Sequence, residues 1–265
     1  MMDVDEWTAM NAIVTAAMRE YVMPVVTPIS RVITNEEGEH LGTGSYCVFG
    51  NTAYLLTNEH VAAELAHGSL GHQFFGSDEV FRLQNPFVAW PHPEDVAASV
   101  INRAVWEAVK HQAQAVPEVR FATRHAPVAS ELLFLAGHAG QRSKFLFGTL
   151  YAPGTAYLSQ EEALPADSRC DAIHHFAVPY RPDLAQTARG EKAELPPPPG
   201  LSGSLVWDTK AVACLMEGRE WSPDLAEVTG IVWGWPSSEG CLIATRVEHI
   251  RRFFEALPAH SSAAT

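Results

Sequence analysis

Apolar residues recur at helical spacing from Asp5 to Tyr21 (Trp7, Met10, Ile13, Val14, Ala17, Met18, Tyr21). With Asp3 and Asp5 as acidic starts and Pro24 as a stop, they predict one amphipathic helix at the start of the chain. The period then changes. PVVTPISRVIT, the turn NEEGEH, LGTGSYCVFG, the turn NT and AYLLTNEHV alternate β-rich runs with Gly, Asn and Glu punctuation, as successive antiparallel strands do. Further strand-like runs follow: HQFFG, EVFRLQ, LLFLAG, KFLFGTLYA, HHFAVPY, SLVWD, VACLM, GIVWGW and CLIATR. A helical stretch is expected from about Asp95 to Gln114, with Val100, Ile101, Ala104, Val105, Ala108 and Val109 on its apolar face. RVEHIRRFFEAL is again helical and ends at Pro258.

Short strands with frequent turn signals and no βα alternation predict a mainly β chain, an antiparallel barrel or sandwich rather than a doubly wound sheet. The Pro-rich segment ELPPPPG (194–200) reads as a linker, but it runs directly into the most informative motif of the chain. No internal repeat is visible.

Composition narrows the function classes. The chain has 265 residues, 47% hydrophobic and 18% charged, which suits a globular body of one large domain or two small ones. Its net charge of −13 excludes phosphate backbones and anionic lipid surfaces as expected partners, so neither nucleic acid nor a membrane is anticipated. Protonating all 12 His would leave −1, so mild acid is expected to remove most of the charge that keeps the protein dispersed. No apolar run is long enough to span a bilayer, and MMDVDEW lacks the basic start of a secretory signal, so a cytoplasmic protein is expected. Cys47, Cys170, Cys214 and Cys241 form no CxxC pair and read as free thiols. Cys170 and His174 have C-x3-H spacing with His175 beside them, yet no second cluster completes a ligand set, so neither metal nor cofactor is expected.

Three segments carry candidate chemistry. In Gly200-Leu201-Ser202-Gly203-Ser204 the glycines permit a tight turn that exposes a hydroxyl and leaves amides aimed one way; the same string also suits a plain Gly/Ser turn. His60 sits where an apolar strand meets a short helix, a place that can hold one rotamer for a general base, although lone histidines are also structural. Asp95 in HPEDVAASV could orient an imidazole or cap a following helix.

Taken together these segments resemble the trypsin-like serine peptidases. GTGSYCVFG…AYLLTNEHV resembles their GTGF…LLTAAHV region, EDVA their short Asp-containing strand, and GLSGSLVW their GDSGGPV motif. VTGIVWGW looks like the strand that pairs with the peptide substrate, and RVEHIRRFFEAL like the family's C-terminal helix. The resemblance covers about Val25 to Leu257 and suggests a bacterial-type intracellular member. It implies two six-stranded antiparallel β-barrels, with an N-terminal helix (1–22), a first barrel carrying His and Asp (23–125, with the inserted helix), and a second carrying Ser and the C-terminal helix (126–265). It also implies Ser202 as nucleophile, His60 as base, Asp95 as orienting group, the Gly200 and Ser202 amides as oxyanion hole, and Ile231, Val232, Trp233, Gly234 and Trp235 as the edge that receives a polypeptide substrate.

Departures from the family are informative. Leu201 stands where digestive members carry an Asp that pairs with a freshly cut N-terminus, so that route of activation is not expected. Trp233 stands where many members have a Ser that supports the catalytic Asp. Pro196 to Pro199 lie where the specificity pocket would be built, without an acidic residue to recruit Lys or Arg, and with bulky Trp235 nearby a small or apolar side chain is expected. Two other readings stand beside this one. An α/β-hydrolase order Ser202…Asp224…His249 exists, but the GxSxG string is broken at Ser204. A catalytically silent or conditionally active module, controlled by a regulatory protein partner within a larger assembly, would keep the same fold.

Overall fold

The computed structural model of the chain describes residues 3–34, 37–146, 149–185 and 194–257. Asn35 and Glu36 of the NEEGEH turn, Phe147 and Gly148 of the KFLFGTLYA run, and the Pro258 stop lie outside the described residues. Helix α1 spans Val4–Val22, and its start is fixed by a capping box: the Asp3 carboxylate accepts from the Glu6 N–H and the Glu6 carboxylate accepts from the Asp3 N–H. Its buried residues Val14, Met18 and Val22 join the main core, and Tyr21 meets Trp207 edge-on with ring centroids 5.9 Å apart.

Seven strands follow: β1 (Val26–Val32), β2 (Gly38–Phe49), β3 (Thr52–Thr57), β4 (Ser69–Gln73), β5 (Val80–Arg82), β6 (Phe87–Trp90) and β7 (Val96–Val100). They pair antiparallel in the order β5-β4-β1-β2-β3-β7-β6, and β8 (Val116–Pro117) adds a two-residue parallel bridge to β2. The chain between β5 and β6 ties the sheet's ends together, with Asn85 Nδ2 donating to Val100 O at 2.8 Å and Ser99 Oγ donating to Asn85 O at 2.9 Å. A short helix α2 (Glu59–Ala62) leaves the end of β3.

The second sheet contains β9 (Leu133–His138), β12 (Gly154–Ser159), β13 (His175–Pro179), β14 (Leu205–Asp208), β15 (Glu227–Gly234) and β16 (Cys241–Arg246), in the order β12-β9-β14-β15-β16-β13. An antiparallel bridge between Glu162 and Ala177 connects its two edges. A separate hairpin, β10 (Lys144–Leu146) with β11 (Thr149–Tyr151), lies between β9 and β12 in the chain. The closing helix, Val247–Ala256, buries Ile250, Phe253 and Phe254, and Phe254 stacks on Phe49 of β2 at 3.7 Å between centroids. One apolar cluster therefore runs from the first helix through both sheets to the last, including Met18, Leu56, Phe134, Trp207, Ile231 and Phe253. Each such fully buried side chain contributes roughly 1.5–3 kcal/mol.

Two sequence expectations fail. The stretch Asp95 to Gln114 is not one helix: Val96–Val100 form β7, and only Arg103–Ala108 (α3) are helical, capped by Asn102, whose side chain accepts from the Ala104 N–H. β7 lies between β3 and β6 and is buried over Val96–Ser99, so apolar residues on both faces erase the alternation that marks a half-exposed strand. The run VACLM lies in helix α4 (Ala211–Glu217), which ends at Gly218 in the left-handed conformation. The final helix is accordingly α5. Along its path the first sheet has seven strands rather than six, and the second has six. All four cysteines are free, and burial pushes the Cys241 thiol up to about 11. Among the described residues no helix is long and apolar enough to cross a membrane.

Candidate active site

β3 ends at Thr57, and the next three residues turn into α2 and deliver His60. The His60 backbone N–H donates to Asp95 Oδ1 at 3.0 Å, and its ring Nδ1 lies 2.7 Å from Asp95 Oδ2, so one carboxylate grips both the backbone and the ring of one residue. Asp95 is buried while the His60 side chain is 46% exposed, which leaves the remaining ring nitrogen as the outward-facing one. With Nδ1 donating to the carboxylate, that nitrogen, Nε2, carries the lone pair.

Asp95 is no helix cap; it stands directly before a strand. Its φ of +46° is left-handed, a region Asp tolerates better than most side chains. The conformation is held from several sides: Asp95 N–H donates to Pro91 O at 3.2 Å, and buried Asn58 donates Nδ2 to Asp95 O at 2.7 Å. The second sheet holds the same loop, because His175 Nε2 lies 2.7 Å from Pro93 O and Thr245 Oγ1 donates to Glu94 O at 2.7 Å.

The half-buried Ser202 occupies the turn before β14. The turn is closed by Leu201 N–H to Pro198 O and Ser204 N–H to Leu201 O, and it is docked on the first sheet by Thr43 N–H donating to Ser202 O at 2.8 Å and Thr43 Oγ1 donating to Gly200 O at 2.8 Å. Gly203, at φ +91°, approaches so closely that a Cβ there would collide with Thr43 O and lie 2.6 Å from Thr57 Oγ1. Only glycine fits there, and Thr57 is three residues from His60. The structure thus joins the Ser202 turn to the strand end that carries His60. At Gly200, φ +98°, a Cβ would lie 2.6 Å from Gly140 N and 2.7 Å from His138 O, closer than real side chains approach. Among the described residues, the Gly200 and Ser202 amides donate to no protein acceptor.

Behind this turn lie a half-buried histidine, His40, and a buried one, His138. His40 Nε2 is 2.7 Å from His138 O, and His138 Nδ1 is 2.7 Å from Ala152 O. Burial holds the His40 imidazole below its usual value; burial, then the neighbouring His40, holds His138 down to about 3.

Of the five residues expected to receive a substrate strand, Ile231 and Val232 have no open edge. Ile231 pairs with both Leu205 and Thr245, while Val232 pairs with Ala244, donates its N–H to Ser204 O and accepts from Gly203 N–H. β14 begins at Leu205, so beyond Val232 the edge on that side is unpaired at Trp233, Gly234 and Trp235 among the described residues. The Ser202…Asp224…His249 arrangement is not assembled: Asp224 faces Arg120 at 3.9 Å, and His249 Nε2 bonds Ile173 O at 3.0 Å. Sequence reasoning missed Thr43, Thr57, Asn58, His175 and Thr245, which position the three candidate residues. A readable signal existed for two of them, because Thr57 and Asn58 are polar residues that end the apolar run Ala53 to Leu56 just before His60.

No sequence-family model and no curated protein sequence matches the chain. Solved structures do. The Rv3671c protease of M. tuberculosis in its active form superposes with a TM-score of 0.52 at 15% identity, covering 96% of this chain and 89% of that one. The serine protease domain of the Sesbania mosaic virus polyprotein gives 0.51 at 10% identity, covering 89% and 94%. The fold is that of the chymotrypsin-like serine proteases. The MamO protease domain of Magnetospirillum magneticum shares it, at 0.50 and 11% identity over 89% of this chain and 98% of that domain. At these identities the likeness speaks for architecture, and the chemistry must be argued from this chain's own residues.

Proposed function

We propose that the chain is a serine endopeptidase that cleaves polypeptides through an acyl-enzyme. The observation that carries this reading is the double grip of Asp95 on His60, on a chymotrypsin-like fold whose Ser202 turn is docked against the same strands. His60 Nε2 takes the Ser202 Oγ proton as the oxygen attacks the scissile carbonyl, and Asp95 stabilises the imidazolium that forms. The Gly200 and Ser202 amides receive the oxyanion; one such donor is commonly worth about 10² to 10³ in turnover. His60 then gives the proton to the leaving amine, and water repeats the cycle on the acyl-enzyme. The open edge at Trp233, Gly234 and Trp235 takes the substrate as an added strand. The domain boundaries at 22 and 125, the cytoplasmic setting and control by a protein partner belong to the same proposal. Efficient reaction of the purified chain alone would remove the need for such a partner.

The test is covalent labelling with a fluorophosphonate probe. The native chain is expected to label and Ser202→Ala is not, with circular dichroism confirming an unchanged fold. Labelling that persists in Ser202→Ala removes Ser202 as nucleophile.

A further inference from the structure

Glu94 precedes Asp95 in the chain, and its carboxylate meets two histidines from the second sheet's side: His174, in the turn before β13, and His249, on α5. One ligand atom from each of the three lies within 4.8 Å of the others. The proton inventory of this cluster is unusual. His174 Nδ1 lies 2.9 Å from Asp171 Oδ2, so in the neutral ring the proton sits there and Nε2, 3.8 Å from Glu94 Oε1, is left as a lone pair. His249 Nε2 faces Ile173 O at 3.0 Å and must donate to it, which leaves Nδ1 as a second bare lone pair. That Nδ1 is buried without a hydrogen-bond partner on a residue only 4% exposed. Three electron-pair donors thus lie close together, with the two imidazoles stacked at 4.4 Å between ring centroids. An unsatisfied buried acceptor is destabilising, and a Lewis acid would satisfy it.

The outer nitrogens supply a second argument. Histidines that bind metals almost always donate their other N–H to a carboxylate or a backbone carbonyl, which fixes the tautomer and aims the free nitrogen. Both arrangements occur here, Asp171 for His174 and Ile173 O for His249. We propose that Glu94, His174 and His249 bind a divalent transition cation of the zinc class, with a fourth position open to water. Two imidazoles and one carboxylate suit such an ion rather than calcium or magnesium, which prefer all-oxygen sets. Tetrahedral zinc places its ligand atoms about 3.4 Å apart, so the 3.8 Å pair needs to close by only a few tenths of an ångström and the widest separation by about 1.4 Å at most, the two stacked rings turning so that their nitrogens face one point. The Cys170–His174 spacing concealed this set, because two of its members come from distant parts of the chain.

The ion would tie the loop that carries Asp95 to the second sheet, beside the existing bonds from His175 and Thr245. Resting on the peptidase reading above, its role there is to brace the orienting carboxylate. Binding itself is tested independently of activity, on the full chain carrying Ser202→Ala. After removal of metal by a chelator, Co²⁺ is titrated while its visible d–d absorption is followed, and Zn²⁺ is then added as competitor. One equivalent of Co²⁺ with an intense tetrahedral-type band, displaced by Zn²⁺, is expected. Asp171→Asn should weaken binding about 10- to 100-fold, and Glu94→Gln and His174→Ala at least as much. Circular dichroism and the Tm of each variant confirm folding. Absence of the band, or binding unchanged in both Glu94→Gln and His174→Ala, overturns the site and would mean that His174 is an imidazolium held between Glu94 and Asp171. Fluorophosphonate labelling decides the peptidase reading, and the cobalt titration decides this one.

Discussion

Lowering the pH from 7.5 to 5.5 should destabilise the protein through histidines that are buried neutral. His72 lies among Tyr46, Phe74 and Phe81, with Tyr46 Oη 2.7 Å from its Nδ1, and burial holds its imidazole down to about 4. His138, behind the Ser202 turn, is held down to about 3. Both would titrate near 6.5 in the unfolded chain. Because the folded values are the lower ones, the unfolded chain takes up protons first as the pH falls. This stability is fully present above 6.5 and is lost progressively down to the folded values. At pH 5.5 the unfolded histidines are one unit below their own pKa while the folded ones remain neutral, so the loss there depends only on the unfolded value. One unit corresponds to about 1.4 kcal/mol, which gives roughly 3 kcal/mol for the two residues. In a chain of this size that lowers Tm by about 6 to 12 °C. His40 and His175 are also held low by burial and add to the slope. The assay is thermal unfolding by circular dichroism at both pH values, for the native chain and for His72→Gln/His138→Gln. The double variant should lose roughly 3 kcal/mol less between pH 7.5 and 5.5 than the native chain does. An identical pH-dependent loss in the two would refute the reasoning and place acid sensitivity elsewhere.

Other outcomes follow from the same geometry. Asp95→Asn should retain the fold and lower peptide turnover by about 10⁴-fold through the wrong His60 tautomer; unchanged turnover would remove Asp95 as the orienting acid. Gly203→Ala places a methyl group against Thr43 O at a left-handed φ, so it should abolish labelling and lower Tm, whereas Gly218→Ala, whose Cβ meets nothing within 4 Å, should cost only about 1 kcal/mol for its own left-handed φ. Thr57→Val removes the 2.8 Å bond to Thr43 O and leaves a buried carbonyl short of a donor, an expected loss of about 1–3 kcal/mol by urea unfolding. A proteome-derived peptide library should return cleavage after small or apolar residues, and a strong preference for Lys or Arg would contradict the pocket expected at Pro196–Pro199.

What could be read from the sequence was whatever is local. Helix α1 announced itself by its apolar spacing, and Asp3 and Glu6 close its start within one turn. His60, Asp95 and Ser202 each sit in a short string whose residue types already suggest a strand end or a tight turn. β7 was misread because Val96 to Ser99 are buried on both faces; apolar residues without alternation fit helix and strand alike, and the true helix occupies only six residues after Asn102. The charge expectation was likewise incomplete. Histidines buried neutral, such as His72 and His138, do not protonate in the folded state near pH 5.5, so the folded protein keeps more of its negative charge than the composition suggests.

The contacts that assemble the site are of the other kind. Thr43 in the first sheet holds Ser202 and Gly200 from the second half of the chain, and Thr245 and His175 from that half hold the loop that leads to Asp95 in the first. Thr43 stands in the GTG string, but nothing local reveals its partners; Thr245 and His175 stand in no motif, and all three act on partners far along the chain. The exchange runs in both directions across the junction, so a shift of one sheet against the other would move Ser202 and Asp95 together with their anchors. Weakening Thr245 should therefore disturb the His60–Asp95 pair without touching either residue. A Thr245→Val chain that keeps its fold and its Tm within about 1 kcal/mol of stability, yet labels more slowly, would locate the control of the site in this junction rather than in the triad alone.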